Sequence, residues 1–153
     1  MQKMLNNRNH PIEFYPEEWE NYLKAGCYPY SLNLKIDKFA LIGDFIGKRC
    51  TKNTDEDTLI DTLQEEVRFL GFEIRQVRLR EIIHLKNEEF LIYLRRDKHL
   101  GVYHLLRRDD NGTWSHKFPD EYPIKANFLE EEYVRSNNRF AKGWMFALKP
   151  KDS

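Results

Sequence analysis

The chain has 153 residues, the size of one domain with room for a core that can position a site. Its 25 basic residues balance 25 acidic ones, which argues against a general nucleic-acid coat, and no run approaches the roughly 20 apolar residues of a bilayer span. The two cysteines, Cys27 and Cys50, form neither a CxxC pair nor a disulfide framework. This fits a reducing compartment and excludes a zinc site built mainly of thiolates.

The N-terminal residues MQKMLNNRNHPIEF lack the apolar core of a secretory signal, which predicts a cytoplasmic location, and residues 1–14 read as an irregular arm of a single domain spanning 1–153. Pro16 followed by EEWENYLK predicts a short helix, with Pro in its first turn and acids near its positive end. A second short helix is expected from Cys27 to about Leu34, because Pro29 then falls in the first turn, where a missing N–H leaves no hydrogen bond unmade. Residues 35–53 match neither period and read as loop with short pieces of structure.

The stretch TDEDTLIDTLQEEVRFLGF carries the clearest helix. Leu59, Leu63, Val67 and Leu70 recur at helical spacing, Asp55, Glu56 and Asp57 suit its N-terminal end, and Gly71 suits its C-terminal cap. Five β-rich runs follow: FEIRQVRL, EFLIYLRR, GVYHLLRR, TWSHKF and GWMFALK. EEEYVRSNN, residues 130–138, reads as helix or loop between the last of them. Helices first and strands afterwards predict an α+β domain with an antiparallel sheet.

HLLRRDDNGTWSH, residues 104–116, sets two histidines 12 positions apart around a turn. A two-residue Asn111-Gly112 loop pairs Asp110 with Thr113 and sends His104 and His116 to opposite faces. A three-residue loop with Gly112 left-handed pairs Asp109 with Thr113 and brings both histidines to one face, diagonal to each other. The second register also gathers Val102, Leu106, Trp114 and Phe118 into one apolar face, expected to be buried, and turns Arg107, Ser115 and Lys117 toward solvent. The pattern favours it.

A thiol at the head of a helix has its thiolate stabilised by unpaired N–H groups and the helix dipole, and a neighbouring imidazole serves as its base. Cys27, His104 and His116 supply a nucleophile, a base and a group to orient the base.

In order and type these residues resemble the papain-like cysteine hydrolases, nearest in layout to the NlpC-type peptidases. There a cysteine opens a helix packed on an antiparallel sheet, a strand carries the histidine, and the next strand often carries a second histidine. The resemblance implies an α+β papain-like fold, nucleophile Cys27, base His104 and orienting group His116, with no cofactor. It further implies a peptidase or amidase acting on a protein or other amide-containing substrate through an acyl-enzyme. A tyrosine upstream of the nucleophile borders the oxyanion site in such proteins, which points to Tyr15, with Trp19 and Tyr22 also near in sequence. The sequence departs from the pattern in having GCYPYS at the nucleophile and 77 residues between Cys27 and His104. A chain that keeps this fold without the reaction, as a binding protein or regulator of a macromolecular partner, is the competing reading.

Cys50 has no base near it in sequence and receives no role. A metal site from Cys27, His104, His116 and Asp109 lacks a spacing motif and is not assigned. Arg75, Arg78, Arg80, Arg95, Arg96, Arg107 and Arg108 read as a solvated positive face, and Glu130, Glu131 and Glu132 as surface.

Overall fold

The computed structural model describes residues 12–78, 85, 88–126 and 141–151. Segment 130–138 and Arg80 lie outside them. A 3₁₀ helix spans Pro16–Tyr22 with Pro at its start and Glu17 and Glu18 in its first turn. Helix α1 is Cys27–Ser31, shorter than expected. Asn33 takes the left-handed conformation at φ 54° and its N–H turns back to Tyr30, so the chain leaves the helix there. Its Tyr28, Pro29, Tyr30 and Ser31 are all buried, so packing rather than length holds this helix together. Residues 32–55 are largely loop, with one 3₁₀ turn at Asp44–Ile46.

Helix α2, Glu56–Phe69, matches the expected helix. Asp55 caps it by accepting from the Thr58 N–H at 3.1 Å, and Gly71 ends it at φ 103°. It buries Leu59, Leu63 and Val67 against the sheet. The six strands are β1 Phe72–Val77, β2 Phe90–Asp97, β3 Tyr103–Arg108, β4 Trp114–His116, β5 Ile124–Ala126 and β6 Ala141–Pro150. They form one sheet in the order β1-β6-β2-β3-β4-β5, antiparallel at every pairing. β5 was not expected, since Ile-Lys-Ala is too short to show an alternation.

β2 lies inside the sheet, and its first five residues are buried on both faces. One face carries Phe72, Ile74, Phe90, Ile92, Leu94, Leu105, Phe146 and Leu148, packed with α1 and α2 residues in the main core. The opposite face carries Val77, Leu91, Tyr93, Leu106, Trp114, Met145 and Ala147. Gly143 in β6 lets Tyr93 cross the sheet closely, because a Cβ there would lie 1.8 Å from the tyrosine oxygen. Among the described residues no helix is long and apolar enough to cross a membrane.

Candidate active site

The turn between β3 and β4 decides whether the histidines meet. Asp109 donates its N–H to Thr113 at 2.7 Å, Gly112 donates to the Asp109 carbonyl at 2.9 Å, and Gly112 has φ +90°. Arg108 therefore faces Trp114, and Arg107 faces Ser115. This is the three-residue loop, and it puts His104 and His116 on one face. Asn111 supports it from within, since its Oδ1 accepts from the Thr113 N–H and hydroxyl. Asp110 anchors the loop's outside by exchanging backbone and side-chain hydrogen bonds with Ile12, so part of the N-terminal arm is tied down.

His104 Nε2 and His116 Nδ1 are 2.7 Å apart, with the rings nearly perpendicular at 73°. Phe118 stacks on His104 at 5.1 Å and 13°, and meets His116 edge-on. This clamp fixes the His104 ring plane and leaves Nδ1 as the nitrogen not engaged by His116. Burial, and then the neighbouring His116, push the His104 imidazole from its ordinary 6.5 down to about 4; burial lowers His116 as well. Both rings are neutral near pH 7.

Cys27 is the first residue of α1 and is half-buried. Backbone N–H groups of Leu105, Cys27 itself and Tyr28 face its sulfur, yet burial outweighs them and pushes the thiol up to about 11. The Leu105 amide belongs to the peptide that follows His104, so the sulfur rests beside that strand on the face covered by α1, which Tyr103, Leu105 and Arg107 share. His104 and His116 point to the opposite face with Leu106 and Trp114, so the fold does not bring Cys27 together with the histidine pair. No hydrogen bond joins Cys27 to either histidine among the described residues. Gly26 brings the helix head against the segment after β4, since a Cβ there would sit 3.5 Å from both Phe39 and Pro119.

The aromatic residues upstream occupy different places. Tyr15 is 48% exposed beside Glu13, Phe14 and Asn111. Trp19 is buried in a small cluster with Ala25 and Tyr30, its ring 5.0 Å from Tyr30, and Tyr22 packs on its edge.

Two expectations about the sheet faces are corrected. The face around the histidines is not a closed apolar one: Leu106 and Trp114 are buried, but Val102 and Phe118 are 55% and 40% exposed. Conversely Arg107, Ser115 and Lys117 do not face solvent, being at most 1% exposed, because residues 23–31 cover them. Arg107 lies over the Tyr30 ring at 4.0 Å and pairs with Asp109 at 3.0 Å. It also donates to the Tyr30 hydroxyl at 2.9 Å and to Asn33 Oδ1 at 3.2 Å. Tyr30 in turn shares a 2.6 Å hydrogen bond with Ser115. Alternation along a strand shows which residues share a face, but not which face a distant helix covers.

The arginines do not form one stripe either. Arg96 and Arg107 point to the helix-covered face, where Arg96 ties the carbonyls of Thr51, Lys52, Thr54 and Gly101, while Arg75 pairs with Glu89 at 2.9 Å. Sequence reasoning missed Tyr103, whose hydroxyl donates to the Cys50 carbonyl and accepts from the Ile42 N–H. Glu66 is also new: wholly buried, it accepts from the Tyr28 hydroxyl at 2.5 Å and from the N–H groups of Gly43 and Phe45 at 2.7 Å. It locks the residue next to Cys27 to α2. The described residues contain no group of three or more His, Cys, Asp or Glu side chains placed to hold a metal ion.

No protein-family model matches the chain, and no curated protein matches it in sequence. The class defined by the described fold is α+β, with short N-terminal helices on a six-stranded antiparallel sheet.

Proposed function

We propose that the chain is a cysteine-dependent hydrolase of papain-like, NlpC-type layout, acting on an amide or ester carbonyl through an acyl-enzyme on Cys27. What supports the reading is the 2.7 Å His104–His116 pair together with a helix-head thiol against the same strand; the two lie on opposite faces of β3, so the reaction requires His104 and Cys27 to be brought together. With His104 donating from Nε2 to His116, its Nδ1 keeps a lone pair for the thiol proton. His116 fixes that tautomer.

In the first step the Cys27 proton passes to His104 Nδ1 as sulfur bonds to the carbonyl carbon and the carbonyl oxygen takes up the negative charge. The N–H groups of Cys27 and Tyr28 are the nearest donors for that oxygen, and each such donor contributes about 3 kcal/mol in comparable sites. The bond to the leaving amine then breaks, and the amine takes the proton from His104. Water attacks the thioester with its proton going to His104, the carbon–sulfur bond breaks, and the returned proton restores the thiol.

The resting pair is a neutral thiol and a neutral imidazole, with the thiol raised to about 11 and the imidazole lowered to about 4. Proton transfer therefore accompanies attack rather than preceding it. The same gap, and the opposite faces of β3 on which Cys27 and the histidine pair lie, favour a second reading, in which the arrangement is retained for binding a partner without chemistry.

Limiting iodoacetamide near pH 6 separates the two. The hydrolase reading predicts carbamidomethylation of Cys27 well ahead of Cys50, with His104→Ala removing the preference. Equal, slow labelling of both thiols in the native chain would sink it.

A further inference from the structure

A cleft of about 570 Å³ opens between the loop before α2 and the β2–β3 hairpin, a volume within the range of about 300–1,000 Å³ usual for small-molecule sites. Arg96, Lys52, Lys98 and Lys142 line it against two carboxylates, Glu56 and Asp97. Glu56 is taken by Lys142 at 3.0 Å. Asp97 is turned into the hairpin, where it accepts from the N–H groups of His99 and Leu100 at 2.8 and 2.6 Å. Arg96, Lys52 and Lys98 form no ion pair among the described residues, so the cleft carries an excess of positive charge.

Its walls are tied to each other. Arg96 donates from Nε to the Gly101 carbonyl at 2.9 Å, and from Nη2 to the carbonyls of Lys52 at 3.2 Å and of Thr54. Its Nη1 has no protein acceptor among the described residues. Gly101, at φ +76°, packs directly on the loop, since a Cβ there would lie 2.2 Å from the Lys52 carbonyl oxygen. Lys52 on the loop and Lys98 on the hairpin are therefore held on two walls of one preformed space. Trp144 of β6 also lines it. That residue is 7% exposed, yet its indole N–H has no acceptor among the described residues and is not sealed inside the core. The donor is open to an occupant of the cleft.

We infer that this cleft binds the phosphate group of a small phosphomonoester. Such a group carries a charge of about −1.5 to −2 at neutral pH and presents acceptor oxygens. It matches a lining with two more basic groups than acidic ones, whose free polar groups are guanidinium, ammonium and indole donors. The rest of the volume takes the organic part, beside the 68% exposed Leu100. The cleft is separate from the proposed cysteine chemistry, because neither Cys27 nor the histidine pair lines it.

Isothermal titration calorimetry on the full chain at low ionic strength tests this with phenyl phosphate, adenosine 5′-monophosphate, inorganic phosphate and adenosine. The two esters are expected to bind saturably at one site, with inorganic phosphate weaker and adenosine weaker still. Lys52→Gln combined with Lys98→Gln weakens the esters by about tenfold, and Trp144→Phe, which keeps an aromatic ring but removes the N–H, by about fivefold. Lys24→Gln combined with Lys48→Gln removes the same charge outside the cleft and changes binding by about twofold or less. Should Trp144→Phe not fold, the Lys52 and Lys98 variant carries the test alone, both positions being exposed.

Absence of saturable binding by both esters overturns the inference, as does binding unaffected by the Lys52 and Lys98 changes. An equal loss in the Lys24 and Lys48 control overturns it as well, since bulk charge alone would then account for the binding. Adenosine binding as tightly as its monophosphate would exclude phosphate recognition, and inorganic phosphate binding as tightly as the esters would exclude a site built for a phosphomonoester.

Discussion

Replacing His104 by Gln changes how stability responds to acid, and the change can be worked from the imidazole's environment. His104 titrates at about 4 in the folded chain against 6.5 ordinarily, burial being the larger cause and His116 the smaller. Between those values the unfolded chain binds a proton that the folded chain does not, so stability is full above about 6.5 and falls as the pH drops toward 4. At about 1.4 kcal/mol for each tenfold change in proton affinity, the native chain loses about 3 kcal/mol from this group between pH 7 and about pH 4. The His104→Gln protein does not incur that loss. Carboxylates titrate over part of the same range, but they are common to both proteins and cancel in the comparison. Urea unfolding at the two pH values measures the difference. With a slope of about 1–3 kcal/mol per molar urea, acid lowers the native midpoint by about 1 M or more in excess of the drop in His104→Gln. Equal midpoint shifts in the two proteins would refute a buried, neutral His104.

Gly112→Val places a branched side chain at φ +90° and lowers stability by about 1–2 kcal/mol in thermal unfolding, whereas Gly112→Asn, tolerant of the left-handed region, loses less. Gly143→Ala drives a Cβ into Tyr93, and overpacking of this kind lowers stability by about 1–3 kcal/mol; pairing it with Tyr93→Val recovers part of the loss in the same measurement. Glu66→Ala leaves the Tyr28 hydroxyl and the Gly43 and Phe45 N–H groups without their acceptor, at about 1–3 kcal/mol for each donor left buried. Chemical denaturation reads this loss, and amide exchange at Gly43 and Phe45 rises with it.

How much of the fold and the site was legible in the sequence depended on how local the determining contacts were. Helix α2 was legible because its apolar spacing, its Asp55 cap and its terminal Gly71 all lie within one stretch. The histidine pair was legible for a similar reason. A single turn fixes the register, and the apolar pattern of the flanking residues selected the three-residue loop over the intrinsically favoured Asn-Gly pair. The surroundings of that pair were not legible. Val102 and Phe118 share the histidines' face as expected yet remain exposed, and Arg107, Ser115 and Lys117 lie under α1 and the segment before it. That covering is fixed by contacts such as Lys117 to Ala25, which no local pattern encodes. β5 escaped notice because three residues of Ile-Lys-Ala carry no period. No sequence feature sets Glu66 apart from the other acids of α2. Its burial is set by loop amides 21 and 23 residues away.

The proposed chemistry requires Cys27 to carry an acyl group in a reaction that depends on His104. Intact and peptide mass spectrometry after mixing the chain with p-nitrophenyl acetate at neutral pH tests this directly. Acetylation of Cys27 is expected with a matching burst of nitrophenol, followed by loss of the acetyl group in the native chain. In His104→Ala, Cys27 is expected to be modified no faster than Cys50. Acetylation of Cys27 no faster than Cys50 in the native chain, or unchanged by His104→Ala, would contradict the acyl-enzyme mechanism.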